Sequence, residues 1–293
     1  MSFVRVKNGN YIMAIDLATG TKIRFNDLDN LTPEYPESMD VKITNKCDMG
    51  CAFCHENSLP DGKHADIMNA KFIETLLPYT ELALGGGNPL EHPDLIPFLK
   101  KCRQYRLIPN MTVNQVHFMK NYSLIKKLVD DRLIFGLGIS LTNPNEEGFI
   151  EKVKTIPTAV IHIINGVQNI EGIKKLYNQN LKVLILGYKD FRRGVEFHSR
   201  AVEAMKAKYK RELPTILKSF KAVAFDNLAL EQLAVKSIVD NNTWNEQYMG
   251  EEGQYTFYVD LVNKQFARNS TSPLDQRYDL LDDAKEMFDK IRG

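Results

Sequence analysis

Three of the four cysteines lie close together, and their spacing is the strongest chemical signal in the sequence. Cys47, Cys51 and Cys54 fall within one short segment, whereas Cys102 stands alone. Thiolates are the soft ligands that bind iron–sulfur clusters and zinc. Structural zinc sites and electron-transfer clusters normally take four protein ligands, so three ligands leave one coordination position open. A secreted disulfide framework would instead spread its cysteines along the chain. The spacing therefore predicts a metal site with an exchangeable position.

Two other interpretations of the thiols stay open at this point. His55 or His64 could complete a zinc site of the Cys3His type. A lone histidine in a loop is usually just solvated, so we assign neither a role. Cys102 lies on a predicted helix, where it shares an apolar face with Leu95 and Phe98. We therefore expect Cys102 to be a core residue and not a ligand.

The charge balance excludes function classes that need a strong overall field. The 293 residues include 38 Lys and Arg against 37 Asp and Glu, a net charge of +1. Charge alone would therefore hold neither nucleic acid nor an anionic membrane. Lysines between 206 and 221 leave nucleic-acid binding as an alternative, but one that we do not favour because Glu203 and Glu212 dilute the run. No stretch approaches the roughly 20 apolar residues of a membrane span, and residues 1–20 lack a signal-peptide core. We expect a cytoplasmic protein.

Short apolar runs alternate with amphipathic segments of helical length, and this pattern is typical of an α/β fold. The runs predict strands at Met39–Thr44, Glu81–Gly85, Asn110–Val113, Leu133–Ser140, Thr158–Ile164 and Leu181–Gly187. The segments between them predict helices at Asn69–Leu77, Pro93–Tyr105, Ser123–Asp130, Glu146–Thr155 and Ile170–Gln179. Strands that alternate with helices form right-handed βαβ units and a parallel sheet. An open doubly wound sheet and a full or partial barrel both satisfy this pattern.

Small and polar residues gather where the predicted strands end, and their distribution favours a barrel. A (β/α) barrel builds its site from the loops at the carboxyl ends of many strands. An open sheet would concentrate such residues at one switch point. They follow all six strands: Asn45, Cys47, Gly86, Gly87, Asn88, Asn114, Ser140, Thr142, Asn165, Gly166 and Tyr188.

The flanking parts of the chain predict accessory elements. We divide the chain into an N-terminal β-hairpin segment at 1–38, a barrel at 39–195 and a C-terminal extension at 196–293. The extension is helical in pattern over 197–224, where Pro214 interrupts it. The two predicted hairpins join Tyr11–Leu17 to Lys22–Phe25 and Tyr255–Leu261 to Gln265–Ala267.

The cysteine segment resembles the signature of the radical S-adenosylmethionine (radical SAM) superfamily. The pattern is Cys47-x3-Cys51-x2-Cys54, with the aromatic Phe53 before the last cysteine. Three further segments resemble the family's Gly-Gly-Glu-Pro, Thr-Asn-Gly and Ser-Leu-Asp-Gly elements and follow in the same order. They are Leu84–Leu95, Met111–Asn114 and Ile139–Asn143. The resemblance covers residues 39–190 and implies a partial (β/α)6 TIM-like barrel.

The resemblance also implies cofactors, partners and a reaction. Cys47, Cys51 and Cys54 would hold a [4Fe–4S] cluster whose open iron binds S-adenosylmethionine (SAM). One electron from a donor such as flavodoxin or ferredoxin would cleave SAM to a 5′-deoxyadenosyl radical, which abstracts hydrogen from a substrate. The substrate class is peptide or nucleoside. The competing hypothesis is a non-enzymatic barrel that binds zinc or a cluster and serves as a partner-binding module.

The matching positions carry the family's SAM contacts over to this chain. Charge is lost at one of them, because Asn88 stands where the family usually has Glu. An amide accepts a weaker hydrogen bond from the methionine ammonium than a carboxylate does. The implied SAM-binding residues are Phe53, Gly86, Gly87, Asn88, Asn114, Ser140, Gly187 and Tyr188.

The C-terminal extension departs from the pattern of many peptide-modifying relatives, which carry additional cysteines there. Asn269–Ser272 stands where those cysteines would fall, so the cysteine count excludes an auxiliary cluster. We expect the extension to cover the mouth of the barrel. Without an auxiliary cluster to accept an electron, rearrangement, epimerisation or coupling is favoured over two-electron oxidation.

Overall fold

The computed structural model describes residues 3–26 and 30–293. Its N-terminal part is a three-stranded antiparallel sheet of β1 (Phe3–Asn8), β2 (Tyr11–Asp16) and β3 (Lys22–Phe25). The predicted hairpin forms β2 and β3, and the sequence pattern missed β1. Residues 1, 2 and 27–29 of the predicted N-terminal segment lie outside the described residues.

A ten-stranded sheet forms the main body, and most of it is parallel. Seven strands follow the N-terminal sheet in the chain. They lie side by side in the same order as in the chain, and each pairs in parallel with the next. They are β4 (Ser38–Thr44), β5 (Glu81–Gly86), β6 (Ile108–Asn114), β7 (Gly136–Ser140), β8 (Ala159–Ile164), β9 (Lys182–Leu186) and β10 (Ala222–Phe225). All six predicted barrel strands are present, and β10 overlaps the end of the segment 197–224 that the pattern assigned to a helix.

The C-terminal hairpin joins the same sheet at its opposite edge. β11 (Thr256–Asp260) pairs in parallel with β4, and β12 (Gln265–Ala267) and β13 (Tyr278–Asp279) continue outward in antiparallel order. The sheet is not closed, because β10 ends one side and β13 the other. The predicted α/β class and partial barrel are confirmed.

Helices and short 3-10 turns connect the strands. The helices are α1 (Leu95–Gln104), α2 (Gln115–Lys120), α3 (Tyr122–Asp130), α4 (Phe149–Lys154), α5 (Ile170–Ile173), α6 (Arg193–Phe197), α7 (Arg200–Ser219), α8 (Asn227–Gln232), α9 (Asn241–Gln247) and α10 (Ala284–Arg292). No helix in the described ranges is long and apolar enough to span a bilayer.

Two helix predictions are wrong in detail. The predicted helix at Asn69–Leu77 is two 3-10 turns, Ile67–Asn69 and Lys71–Thr75, separated by Ala70, which has non-helical backbone angles. Here α10 packs against the segment, and the Oγ1 of Thr75 accepts a hydrogen bond from the backbone of Ala284. Pro214, which was expected to interrupt a helix, lies inside the continuous α7.

Side-chain alternation along the barrel strands separates a packed outer face from an inner cavity. On β4, Met39, Val41 and Ile43 are buried in the apolar core between sheet and helices. The alternate residues Asp40 and Lys42 border the barrel interior. Glycine and alanine occupy several other inward positions, so the interior keeps open space: Ala83, Gly85, Gly136, Gly138 and Ala224.

The N-terminal sheet packs across the amino-terminal end of the barrel strands. Tyr11, Met13 and Ile15 form a small core with Ile108, at the start of β6, and with Tyr255, just before β11. The cysteine segment follows the carboxyl end of β4. The two ends of the barrel therefore differ, one packed by apolar side chains and the other open to the predicted site.

Candidate functional site

The three clustered cysteines line a single cavity of about 680 Å³ inside the barrel. Cys47, Cys51 and Cys54 are all half-buried free thiols. The cavity extends from the cysteine segment down the inward faces of the parallel strands. Its volume lies within the range of about 300–1,000 Å³ that is usual for small-molecule sites.

Backbone hydrogen bonds fix the segment that carries the cysteines. The Cys47 amide donates to the Leu59 carbonyl at 2.9 Å, and the Leu59 amide donates to the Asn45 carbonyl at 3.1 Å. These bonds close the segment into a compact loop after β4. A Cβ at Gly62 would overlap the Asn45 carbonyl, so glycine is required for this closure.

A buried ion pair ties the end of the cysteine loop to the sheet. The Nζ of Lys42 lies 2.9 Å from the Oε2 of Glu56, and the Tyr258 hydroxyl donates to Oε1 of the same carboxylate at 3.0 Å. Burial alone would raise the pKa of Glu56, but the ammonium of Lys42 and its hydrogen bond outweigh burial and hold the pKa well below its ordinary value. Glu56 is therefore ionised and fixes the position of Cys54, two residues earlier.

The arrangement of the cysteines fits a polynuclear cluster better than a single ion. Tetrahedral zinc, with Zn–S bonds of about 2.3 Å, would bring its sulfur ligands to about 3.8 Å from one another. Among residues 3–26 and 30–293, the one group of three or more potential ligands within 4.8 Å is Cys47, Asp48 and His117. The three thiols are therefore not all within 4.8 Å of one another, as the ligands of one zinc ion would be. In a [4Fe–4S] cluster each thiolate binds a different iron of the cube, so the thiols need not approach so closely.

The thiols need a positive partner to ionise. Burial raises the pKa of Cys47 and of Cys51, and the charges of neighbouring thiolates raise both further. Bound iron would supply the compensating charge, because a metal ion deprotonates the thiols that ligate it. The residues present therefore fit an iron–sulfur cluster.

Neither histidine of the zinc alternative joins the three cysteines in a compact group among the described residues. The Nδ1 of His64 lies 2.9 Å from the Thr44 hydroxyl, and its ring packs edge-on against His92. His55 faces Lys189, and burial followed by the Lys189 charge lowers the pKa of His55 to about 3. Cys102 is fully buried in the core, as predicted, and burial raises its pKa to about 12.

The Asp48–His117 pair was not predicted from the sequence. The Nε2 of His117 donates to the Oδ1 of Asp48 at 2.6 Å, directly beside Cys47. His117 is buried at the start of α2 and borders the cavity. A separation of 69 residues in the chain leaves no local pattern that could predict this contact.

The glycine pair after β5 allows close approach to the cysteine loop. Gly86 has a φ of 106°, and a Cβ there would overlap the Thr44 carbonyl. A Cβ at Gly87 would overlap the Lys46 carbonyl, whereas Gly85 faces open space. The Gly87 amide donates to the Thr44 carbonyl at 2.8 Å. Both glycines line the cavity, and their predicted contact with SAM stays a prediction.

Asn88 lies outside the residues that line this cavity. Its side chain is buried in the next turn, where Oδ1 accepts from the Leu90 amide at 3.3 Å and Nδ2 donates to Glu91 at 3.0 Å. The amide thus caps a turn in this conformation. Its predicted hydrogen bond to the methionine ammonium stays a prediction.

The remaining predicted SAM contacts all border the cavity, which brings together residues from β6, β7, β9 and the cysteine loop. Asn114 and Ser140 are paired neighbours on β6 and β7, and the Asn114 Oδ1 caps α2 through the Val116 amide at 2.9 Å. Phe53 packs against Phe197 with ring centroids 5.6 Å apart.

Gly187 and Tyr188 close the cavity where β9 ends. A Cβ at Gly187 would overlap the Leu228 side chain, so glycine lets α8 approach the strand. The Tyr188 hydroxyl donates to the Gly194 carbonyl at 2.6 Å, and its amide donates to the Gln232 side chain at 2.9 Å. The ring of Tyr188 is buried, with His198 packed against it and the Lys206 ammonium 4.8 Å from its centroid, so its predicted contact with SAM stays a prediction.

Several polar residues of the barrel interior were also missed. They occupy inward positions of predicted strands, so the alternation of side chains along each strand could have predicted that they face the barrel interior. Burial lowers the pKa of His162 to about 4, which keeps its imidazole neutral at pH 7. The missed inward residues are Asp40, Lys42, Thr112, His162 and Tyr258.

Comparisons with known proteins agree on the fold. No family model matches the chain. A crystal structure of Streptococcus suis SuiB bound to S-adenosylmethionine covers 91% of this chain and 81% of that chain, with a TM-score of 0.59 and 12% identity. The structure of native anSMEcpe with bound AdoMet covers 86% and 79%, with a TM-score of 0.55 and 12% identity.

The chain shares the fold of these two SAM-bound structures. The predicted resemblance to the radical SAM superfamily is confirmed at the level of the fold. SuiB bound to its precursor peptide SuiA matches with a TM-score of 0.55 and 15% identity, over 81% of this chain and 60% of that chain.

A curated relative matches a shorter segment. The PqqA peptide cyclase of Gluconobacter oxydans (strain 621H) is 26% identical over 89 residues, which make up 29% of this chain and 25% of the cyclase. The match therefore spans a quarter of that relative's length.

Proposed function

We propose that this chain is a radical SAM enzyme that acts on a peptide. One observation carries the proposal: three half-buried cysteines line a cavity at the carboxyl ends of parallel strands, within a fold that SAM-bound proteins share. The peptide class is supported by the SuiB–SuiA structure and by the PqqA peptide cyclase. A nucleoside substrate has no comparable support.

Cys47, Cys51 and Cys54 would hold a [4Fe–4S] cluster. When bound, the cluster and SAM supply a 5′-deoxyadenosyl radical that abstracts hydrogen from the substrate. The chain's own residues orient the cofactor: the Asn114 amide and the Ser140 hydroxyl offer hydrogen bonds from adjacent strands.

The electron donor and the reaction type complete the proposal. An external one-electron donor of the flavodoxin or ferredoxin class would reduce the cluster. Because the sequence carries no cysteines for an auxiliary cluster, we propose rearrangement, epimerisation or coupling of the peptide in preference to a two-electron oxidation.

A second candidate is a zinc-binding barrel that serves as a partner-binding module. The grouping of Cys47, Asp48 and His117 within 4.8 Å supports this alternative, because those three ligand types suit one zinc ion. It leaves Cys51 and Cys54 without a function, and for that reason we favour the enzyme.

Anaerobic reconstitution with iron and sulfide separates the two candidates. The enzyme hypothesis predicts iron and sulfide in the proportion of a [4Fe–4S] cluster, and 5′-deoxyadenosine on reduction with SAM. Cys51→Ala should lose the iron, whereas Cys102→Ala, which removes a buried core thiol, should keep it. Stoichiometric zinc without iron in the folded wild type would support the second candidate instead.

A further inference from the structure

A second cavity adjoins the cysteine cavity on the open side of the barrel. It has a volume of about 800 Å³. We call it the seam cavity and define it by Asp40 and Lys189 on the barrel side and by residues of segments 226–252 and 268–271 on the outer side. Four residues border both cavities: Asp40, Lys189, Asp226 and Ser270. A ligand in the seam cavity could therefore extend into the barrel.

The seam cavity carries an excess of negative charge. Within the described part of the chain, no Lys, Arg or His nitrogen lies within 4.0 Å of its carboxylates, although ion pairs are frequent elsewhere in the molecule. Its charged residues are five acids, Asp40, Asp226, Glu231, Glu251 and Glu252, and three bases, Lys189, Lys236 and Arg268.

The three bases have other contacts. Lys189 donates to the Ser270 hydroxyl at 2.8 Å. The Lys236 ammonium lies over the ring of Trp244, 5.4 Å from its centroid. Arg268 donates to the carbonyl of Ile291 at 3.0 Å. The negative charge of the cavity is therefore not neutralised by direct pairing with its own lysines and arginine.

Asp40 is the acid that connects the two cavities. It lies on the inward face of β4, and its carboxylate forms no hydrogen bond or ion pair with residues 3–26 or 30–293. The side chain of Asp40 is exposed within the cavity, so its carboxylate can pair with a bound cation.

An aromatic pair forms part of the outer wall. The rings of Trp244 and Tyr248 stack with centroids 4.8 Å apart and an interplanar angle of 17°. Because Lys236 and Tyr248 already contact the Trp244 ring, a ligand would meet the remaining apolar surface of the pair, on which the aliphatic stems of Lys and Arg can pack. Carboxylates next to an aromatic wall are the complement of a long cationic side chain.

The spread of the acids argues against other ligands. The carboxylates do not form a group of three within 4.8 Å in the described residues, so these acids offer no compact carboxylate cage for a metal ion. The phosphate of a nucleotide would be repelled by them.

We propose that the seam cavity binds a segment of the substrate peptide that carries Lys or Arg, with Asp40 as a specificity-determining residue next to the reaction space. This inference rests on the proposed function and adds the side-chain class that the enzyme selects. A basic segment seated there would place the neighbouring substrate residues in the barrel, beside the cysteine cavity.

The test is a selection of randomised nine-residue peptides on anaerobically reconstituted enzyme with SAM. Lys and Arg should be enriched among the retained peptides on the wild type, and the enrichment should fall about tenfold on Asp40→Asn, as is typical for loss of a charged hydrogen bond. Asp282→Asn, which removes an exposed carboxylate outside the seam cavity, is the matched control and should keep the enrichment of Lys and Arg. Because Trp244 is the only tryptophan, its fluorescence should respond to the selected peptides.

Cluster content and SAM cleavage, measured on the same samples, distinguish failure of the seam-cavity proposal from failure of the proposed enzyme function. If both are normal but the retained peptides show no basic enrichment, or if Asp40→Asn retains it, the seam assignment is wrong and the enzyme proposal stands. Binding of spermidine without binding of basic peptides would also overturn the seam-cavity proposal. A wild type without cluster or SAM cleavage would defeat the proposed function itself.

Discussion

His117 donates a 2.6 Å hydrogen bond from Nε2 to the Oδ1 of Asp48, and both ligand atoms lie within 4.8 Å of the Cys47 thiol. Cys47 therefore belongs to two possible metal sites. One is shared with Cys51 and Cys54 and suits a cluster. The other, with Asp48 and His117, suits a single ion.

Substitution of His117 distinguishes these sites. His117→Gln should keep the full iron and sulfide content, because three thiolates supply the cluster ligands, and should lose any zinc bound to the cluster-free protein. Metal analysis of both forms by mass spectrometry measures this. Cys51→Ala is the complementary control and should show the reverse pattern. Loss of iron from the His117 variant with retention by the Cys51 variant would contradict the cluster assignment.

The buried Lys42–Glu56 pair should matter greatly for stability. Lys42→Met leaves the Glu56 carboxylate without its ammonium partner, and removal of one member of a buried pair typically costs about 3–5 kcal/mol. Urea unfolding of the metal-free protein measures the change. Lys71→Met, which breaks an exposed ion pair, should change stability little. Equal effects of the two variants would mean that the buried pair does not anchor the cysteine loop.

The glycines after β5 give a matched comparison of steric requirements. Gly87→Ala should destabilise the protein by about 1–3 kcal/mol, because its Cβ would overlap the Lys46 carbonyl and force the backbone apart. Gly85→Ala adds the same methyl group into open space and should leave the free energy of unfolding nearly unchanged. Denaturant unfolding of both variants is the measurement. A Gly87 variant as stable as the wild type would show that the turn adapts.

Acid should weaken the contact between the N-terminal sheet and the barrel. Burial by itself would raise the pKa of Glu37, but the hydrogen bonds from Arg24 and the charge of Lys22 outweigh it and lower the pKa below its ordinary value of 4.5. A pKa that is lower in the folded state stabilises the protein above the unfolded-state value. This contribution is present at pH 7 and is lost as the pH falls below about 4.5.

Glu37→Gln tests this assignment through unfolding free energies measured between pH 3 and pH 7. The variant should be less stable than the wild type at pH 7, and the difference should shrink toward pH 3. A difference that stays constant over this range would show that ionised Glu37 does not carry the effect.

The barrel strands could be predicted because their signal is local. Each combines an apolar run with a small or polar residue at its carboxyl end, and the structure confirms all six within a few residues. β10 escaped prediction because its apolar run, Ala222–Phe225, has only four residues and follows a long helix. The pairing of β11 with β4 joins segments that lie far apart in the chain, and no local pattern specifies such a partner.

The site was predictable to the extent that spacing defines it. The cysteine triplet could be identified from the chain alone, and the structure brings it to one cavity with Asn114 and Ser140. The alternation of side chains along the predicted strands could have placed Asp40 and His162 on the inward face, but these residues were not predicted as part of the site. The side-chain direction of Asn88 depends on the turn that follows β5, which the sequence pattern does not determine.

Electron paramagnetic resonance of the reduced, anaerobically prepared protein tests the central claim most directly. We expect the signal of a [4Fe–4S] cluster, and we expect its spectrum to change on addition of SAM, because the fourth iron has no protein thiolate and binds the cofactor. A folded protein without this signal, or with a signal that SAM leaves unchanged, would contradict the account.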